Sequence, residues 1–72
     1  MSLFVKTLKY KGYTADVYWD EDVYFFYGQL NDIRDLVTFE AKGVFRTAFE
    51  FRRAVNRYIT LCEKKGKEPD NP

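Results

Sequence analysis

Apolar and polar residues alternate from Tyr13 to Asp20, with Tyr13, Ala15, Val17 and Trp19 in one set and Thr14, Asp16, Tyr18 and Asp20 in the other. A period of two belongs to a pleated strand with one buried face, so "KGYTADVYWD" (11–20) is predicted to be a strand. The acidic run Asp20, Glu21 and Asp22 turns the chain, and "VYFFYGQL" (23–30) follows as its hairpin partner, rich in aromatics that favour a pleated surface. After the polar connection "NDIRD", "LVTFE" (36–40) supplies a third short strand. Residues 3–10, "LFVKTLKY", fit either a further edge strand or an arm laid on a neighbouring molecule.

From residue 43 the period changes. Val44, Thr47, Ala48, Phe51, Val55, Tyr58 and Cys62 recur every three or four positions, the spacing of one helical face, and predict a helix over 43–65. Gly66 is placed to end it in the left-handed conformation open to glycine, and Lys64 and Lys65 in the last turn suit the helix dipole. "KEPDNP" (67–72), with two prolines, cannot continue the helix and reads as a flexible tail. Strands followed by one long helix make a two-layer α+β domain: a small antiparallel sheet of three strands, four if residues 3–10 join it, with the helix packed on one face. The expected core is Ala15, Val17, Phe26, Leu30, Val37 and Phe39 beneath Val44, Phe51, Val55 and Tyr58.

Size sharpens this picture. A single domain of 72 residues buries only roughly 60% of the surface its unfolded chain exposes, so its stability is marginal. Composition is that of a folded chain, 46% hydrophobic and 19% aromatic, above what a solvated disordered segment carries. Small domains gain stability from disulfides, metals or oligomers. With Cys62 the one cysteine and no histidine, neither an internal disulfide nor a Cys/His zinc site can be assembled from one chain. Self-association into a dimer or tetramer is the remaining route.

A formal net charge of +1 is too small for strong sequence-independent attraction to nucleic acid. The charge is unevenly placed, with 4 Lys/Arg and 7 Asp/Glu up to residue 41, against 8 and 4 from residue 42 onward. No apolar run approaches the roughly 18 residues of a membrane span, and "MSLFVKTLKY" lacks the features of a secretory signal, so a cytoplasmic protein is expected.

The residues argue against catalysis. Asp16, Asp20, Glu21 and Asp22 could in principle hold magnesium, but three are consecutive and diverge around a turn. Without histidine there is no Ser-His or Cys-His pair, and Cys62 falls on the core stripe as an inert thiol. Gly12, Gly28, Gly43 and Gly66 are too scattered to cradle a phosphate. The expectation is a protein that is not an enzyme and takes no cofactor or metal. Tyr18, Tyr24, Phe25 and Tyr27 could stack bases of single-stranded RNA, but Asp16, Asp20 and Asp22 would repel a phosphate backbone there.

A second apolar patch needs an explanation. At roughly 100° per residue, Phe45 and Phe49 lie about 40° apart and well away from the core stripe headed by Phe51. They share their helix surface with Arg52, Arg53 and Asn56. Burying each ring stabilises an assembly by about 1.5–3 kcal/mol in transfer terms, before the cost of association. Tyr18, Phe25, Tyr27 and Leu36 on the outer face of the sheet offer a further apolar surface. Two surplus surfaces on so small a chain point to partners.

The order of these pieces resembles one family. "YKGYTADV" opening the first strand, "YGQLNDIRDLVTFE" joining the second and third, and "AVNRYITLCEKKGKEPDNP" closing the helix are similar to the HicB-like antitoxins of prokaryotic toxin–antitoxin pairs, across about residues 8–72. The resemblance implies a partial RNase H-like fold that has lost catalysis, and a partner: a HicA-type toxin, an mRNA interferase with a double-stranded-RNA-binding-like fold. Many relatives continue into a ribbon-helix-helix or helix-turn-helix domain, whereas this sequence stops at Pro72, so DNA binding is not expected of it alone. Relatives also place acidic residues where Arg52, Arg53, Asn56 and Arg57 stand, and polar ones at Phe45 and Phe49. The family has no short motif of toxin-contacting residues, so none is assigned by resemblance.

Overall fold

A computed structural model describes residues 1–70. Four strands, β1 (Ser2–Tyr10), β2 (Tyr13–Asp20), β3 (Phe25–Leu30) and β4 (Thr38–Ala41), precede one helix, α1 (Val44–Lys64). The strands form an antiparallel meander in the order β1-β2-β3-β4, and α1 lies across one face. Residues 3–10 are thus part of an edge strand. Strand β4 begins later than the sequence suggests, so Leu36 and Val37 belong to its approach.

The β1–β2 turn explains the fourth strand. Lys11 and Gly12 both have positive φ, 53° and 82°, the geometry of a two-residue type I′ turn whose twist matches that of paired strands. Tyr10 is thereby set opposite Tyr13, and the pairing runs on to Ser2 opposite Asp20, interrupted by a register shift between Phe4 and Lys6.

Side chains of the inner face meet the helix. Tyr13, Ala15, Val17, Leu30, Phe39 and Ala41 are buried there, with Phe51, Ala54, Val55, Tyr58 and Cys62 above them. Phe26 and Val37 pack partly buried at the margin of this core. Phe39 and Phe51 rings meet at 5.6 Å, and Tyr13 meets Tyr58 edge-on at 5.9 Å. Gly28 makes the first of these contacts possible: a Cβ there would come within 2.5 Å of the Phe39 ring. Val44, expected in the core, is half exposed. It points the right way, but it sits in the first helical turn, at the margin of the sheet.

The helix ends differ. At the N-terminus Gly43 is the cap residue, with no side-chain cap and no acidic group in the first turn. The Thr47 N–H and hydroxyl both donate to the Gly43 carbonyl. At the C-terminus Gly66 takes φ 67°, the Lys67 N–H reaches the Cys62 carbonyl at 2.9 Å, and the Gly66 N–H reaches Glu63. This pairing closes a helix in a Schellman motif.

Residues 67–70, assigned by sequence to a flexible tail, turn back onto the domain. Tyr13 Oη donates to the Asp70 carbonyl at 2.8 Å, and the Asp70 N–H donates to Tyr58 Oη at 2.9 Å. The Asp70 carboxylate accepts from the Arg34 N–H and guanidinium, while Lys67 Nζ pairs with Asp35 at 2.9 Å. Arg34 holds the Asp70 carboxyl below its ordinary value. Residues 71 and 72 of the expected tail lie outside the described residues. Among the described residues no helix is long and apolar enough to cross a membrane.

Candidate interaction surfaces

Two surfaces of opposite character lie on opposite sides of the domain. The first is on α1, away from the core. Phe45 is 94% exposed and Phe49 is 49% exposed. The difference lies in their neighbours. Arg46 and Arg53 place guanidinium groups 4.8 and 5.8 Å from the Phe49 ring, and both pair with Glu50 at 3.4 Å. These arginine stems cover part of Phe49. Phe45 has no such cover and lies one turn beyond, next to the half-exposed Val44.

Arg52 and Asn56, predicted to belong to this patch, are used within the chain. Asn56 accepts from Lys11 Nζ at 2.9 Å and donates to Tyr10 Oη at 3.4 Å. The Arg52 guanidinium stands 5.7 Å from the Tyr10 ring. Together these groups fasten α1 to the β1–β2 turn, and the Asn56 hydrogen bond, the largest cause, lowers the Tyr10 pKa. The free part of the helical patch is therefore smaller than the sequence suggests, centred on Phe45 and the open side of Phe49.

The second surface is the outer face of the sheet, which no element among the described residues covers. Register places Phe4, Tyr18 and Tyr27 in one cross-strand row on it, with Glu40 at the end of that row. Phe4 and Tyr18 meet edge-on at 5.9 Å, Tyr18 and Tyr27 stack at 5.7 Å with planes 26° apart, and Phe25 lies 6.1 Å from Tyr27. The Tyr27 hydroxyl donates to Ser2 Oγ at 2.7 Å, and Thr7 Oγ1 donates to the Asp16 carboxylate at 2.8 Å. Tyr18, Phe25 and Tyr27, the sequence candidates for this face, are brought together there, each partly buried. Phe4, which completes the row, was not among the candidates. The Lys11-Gly12 pair between two apolar runs carries the signal that would have added it, because that turn fixes β1 beside β2.

Other predicted residues fall elsewhere. Tyr24 turns away from the row and lies 6.1 Å from Trp19, a residue of the opposite face. Leu36 is 75% exposed ahead of β4. In the acidic turn the Asp22 N–H donates to the Asp20 carboxylate at 3.0 Å, while the Asp22 carboxylate takes the N-terminal ammonium at 3.1 Å. Among the described residues no group of three or more His, Cys, Asp or Glu side chains converges in a way that could hold a metal ion. Cys62 is buried beside Tyr58.

No family model, curated protein or solved structure matches this chain.

Proposed function

We propose that this chain is a non-catalytic interaction protein of the HicB-like antitoxin kind, which binds and neutralises a HicA-type mRNA interferase and associates with copies of itself. The observation that carries the reading is apolar surface left uncovered on both layers of one small domain. Phe45 stands 94% exposed on the helix, and Phe4 59% exposed in an aromatic row on the sheet. In so short a chain such surface costs solubility unless another molecule covers it.

Each layer has its own role in this reading. Phe45, Phe49 and Arg53 form a self-complementary patch suited to pairing two copies about a two-fold axis, where each ring meets its counterpart. The sheet face is left for the toxin. Four antiparallel strands followed by a helix are compatible with a partial RNase H-like fold, the finer assignment that goes with the family. Such an antitoxin works in the cytoplasm, needs no cofactor and has no catalytic group of its own.

The test is co-expression with a small basic RNase encoded beside this chain. Rescue of growth and copurification in fixed stoichiometry are the expected results. Absence of both contradicts the antitoxin reading and favours a homo-oligomeric domain without a toxin. Retardation of RNA at low salt, lost as salt rises, favours an RNA-binding module instead.

A further inference from the structure

We propose that the open sheet face is the docking surface for the basic face of a protein partner, receiving that partner's arginine and lysine side chains over the rings of Phe4, Tyr18 and Tyr27. The inference rests on the interaction reading above and deepens it, by naming the surface used and the chemistry that fits it.

Ring geometry supplies the platform. Phe4, Tyr18 and Tyr27 make a continuous strip across three strands, at centroid spacings of 5.9 and 5.7 Å. Aromatic faces carry partial negative charge and attract cations placed over them. The charges around the strip have the same sign. Asp16, Asp20 and Glu40 lie on this face by register, against Lys9 alone. Beside Tyr27 and Phe25 a cleft of ≈ 580 Å³ is lined by Asp20 and Glu40, by Arg57, and by Glu50, which is itself paired with Arg46 and Arg53.

This combination selects among occupants. A phosphate backbone would be repelled by the carboxylates. A purely apolar partner would desolvate Asp16 and Glu40 without providing a counter-charge, which is costly. Arginine and lysine side chains satisfy both features, with an apolar stem against the rings and a charged head at the carboxylates.

A second copy of this chain is a poorer fit, although its helix face is basic. Arg46 and Arg53 are already paired with Glu50, and Arg52 lies over Tyr10. Stacking the sheet face of one copy on the helix face of the next is also head-to-tail, an arrangement that grows into open filaments unless its rotation happens to close.

The test is an amide chemical-shift titration of the isotope-labelled full chain with a hexa-arginine peptide. Expected are saturable shifts at residues 16–20, 25–29 and 40 that diminish as salt is raised. Replacing Tyr18→Ala and Tyr27→Ala together should weaken binding by roughly fivefold or more. Because losing both rings could loosen the sheet, the pair Asp16→Asn and Glu40→Gln serves as a second variant, with the ring stack intact; it should also weaken binding while the free spectrum stays dispersed. Shifts confined to the Glu21–Asp22 turn, shifts on α1, or no shifts would overturn the proposal. So would shifts of the sheet face that grow with protein concentration in the absence of peptide, since a second copy would then be the occupant. Peptide binding at this face without any copurifying RNase would remove the antitoxin reading and leave the docking surface standing.

Discussion

The two faces of the sheet hold similar numbers of aromatic rings and use them in opposite ways. On the inner face Tyr13 and Phe39 are buried against the helix residues Phe51 and Tyr58, among Ala15, Val17, Leu30, Ala54 and Val55, with Tyr10 and Phe26 packed against this core. On the outer face Phe4, Tyr18, Phe25 and Tyr27 are stacked just as closely, but Asp16, Asp20 and Glu40 stand among them. Ring count therefore does not decide which face becomes core. Intervening side chains do: Ala15, Val17 and Gly28 let a helix approach, whereas desolvated carboxylates would oppose it. The inner face folds the chain, and the outer face is left without a helix over it.

Mutations on the two faces should separate sharply. The largest effect belongs to Phe51→Ala, which removes a ring that is 1% exposed and should cost about 3–5 kcal/mol. That is a large part of the total stability of a small domain, so denaturant unfolding should show the variant substantially unfolded in buffer. Tyr18→Ala on the outer face should cost roughly 1 kcal/mol or less, the worth of a cross-strand pair. Equal losses from the two would remove the distinction between the faces.

Gly28→Ala should strain the inner face. An added Cβ would meet the Phe39 ring at 2.5 Å and the Asp16 carbonyl oxygen at 2.9 Å, so the ring and the strand must both give. A loss of about 1–3 kcal/mol is expected, read as a lower denaturant midpoint with an unchanged slope.

Acidification should act on the docked tail before it acts on the core. The Arg34 guanidinium and N–H hold the Asp70 carboxyl below its ordinary value of 3.8. A depressed value means that the tail's contribution is complete above about the ordinary value and is lost as pH falls through the lower, folded-state one. Hydrogen exchange at the Asp70 amide, which donates to Tyr58, should therefore speed up below that range while the strand amides stay protected. The Asp70→Asn variant should show the faster exchange already at neutral pH. Simultaneous loss of protection everywhere would mean that the tail and the core unfold as one unit.

Much of this organisation was legible in the chain. The alternation at Tyr13–Trp19 and the stripe through Thr47, Phe51, Val55, Tyr58 and Cys62 report the buried faces directly, because regular elements repeat with fixed periods. The same periodicity placed Phe45 and Phe49 off the core, where they are found. Val44 was misread because period gives the direction of a side chain but not whether a sheet lies beneath it. Arg52 and Asn56 were read as free because their partners, Tyr10 and Lys11, are more than forty residues away in sequence. Asp70 was hidden because its partners are brought to it only by the fold. Its value depends on Arg34, Tyr13 and Tyr58, which only the folded chain assembles around a segment with no periodicity of its own.

If the uncovered apolar surface exists to be covered first by another copy of this chain, self-association must depend on Phe45 and Phe49. Sedimentation equilibrium of the purified protein and of its Phe49→Asp variant tests this dependence most directly. The parent protein should have a mass of two or more times the 8.6 kDa of the chain. The variant should shift toward that single-chain mass with helical circular dichroism retained. A parent protein that sediments at 8.6 kDa across the accessible concentration range, or a variant of unchanged multiple mass, would contradict it.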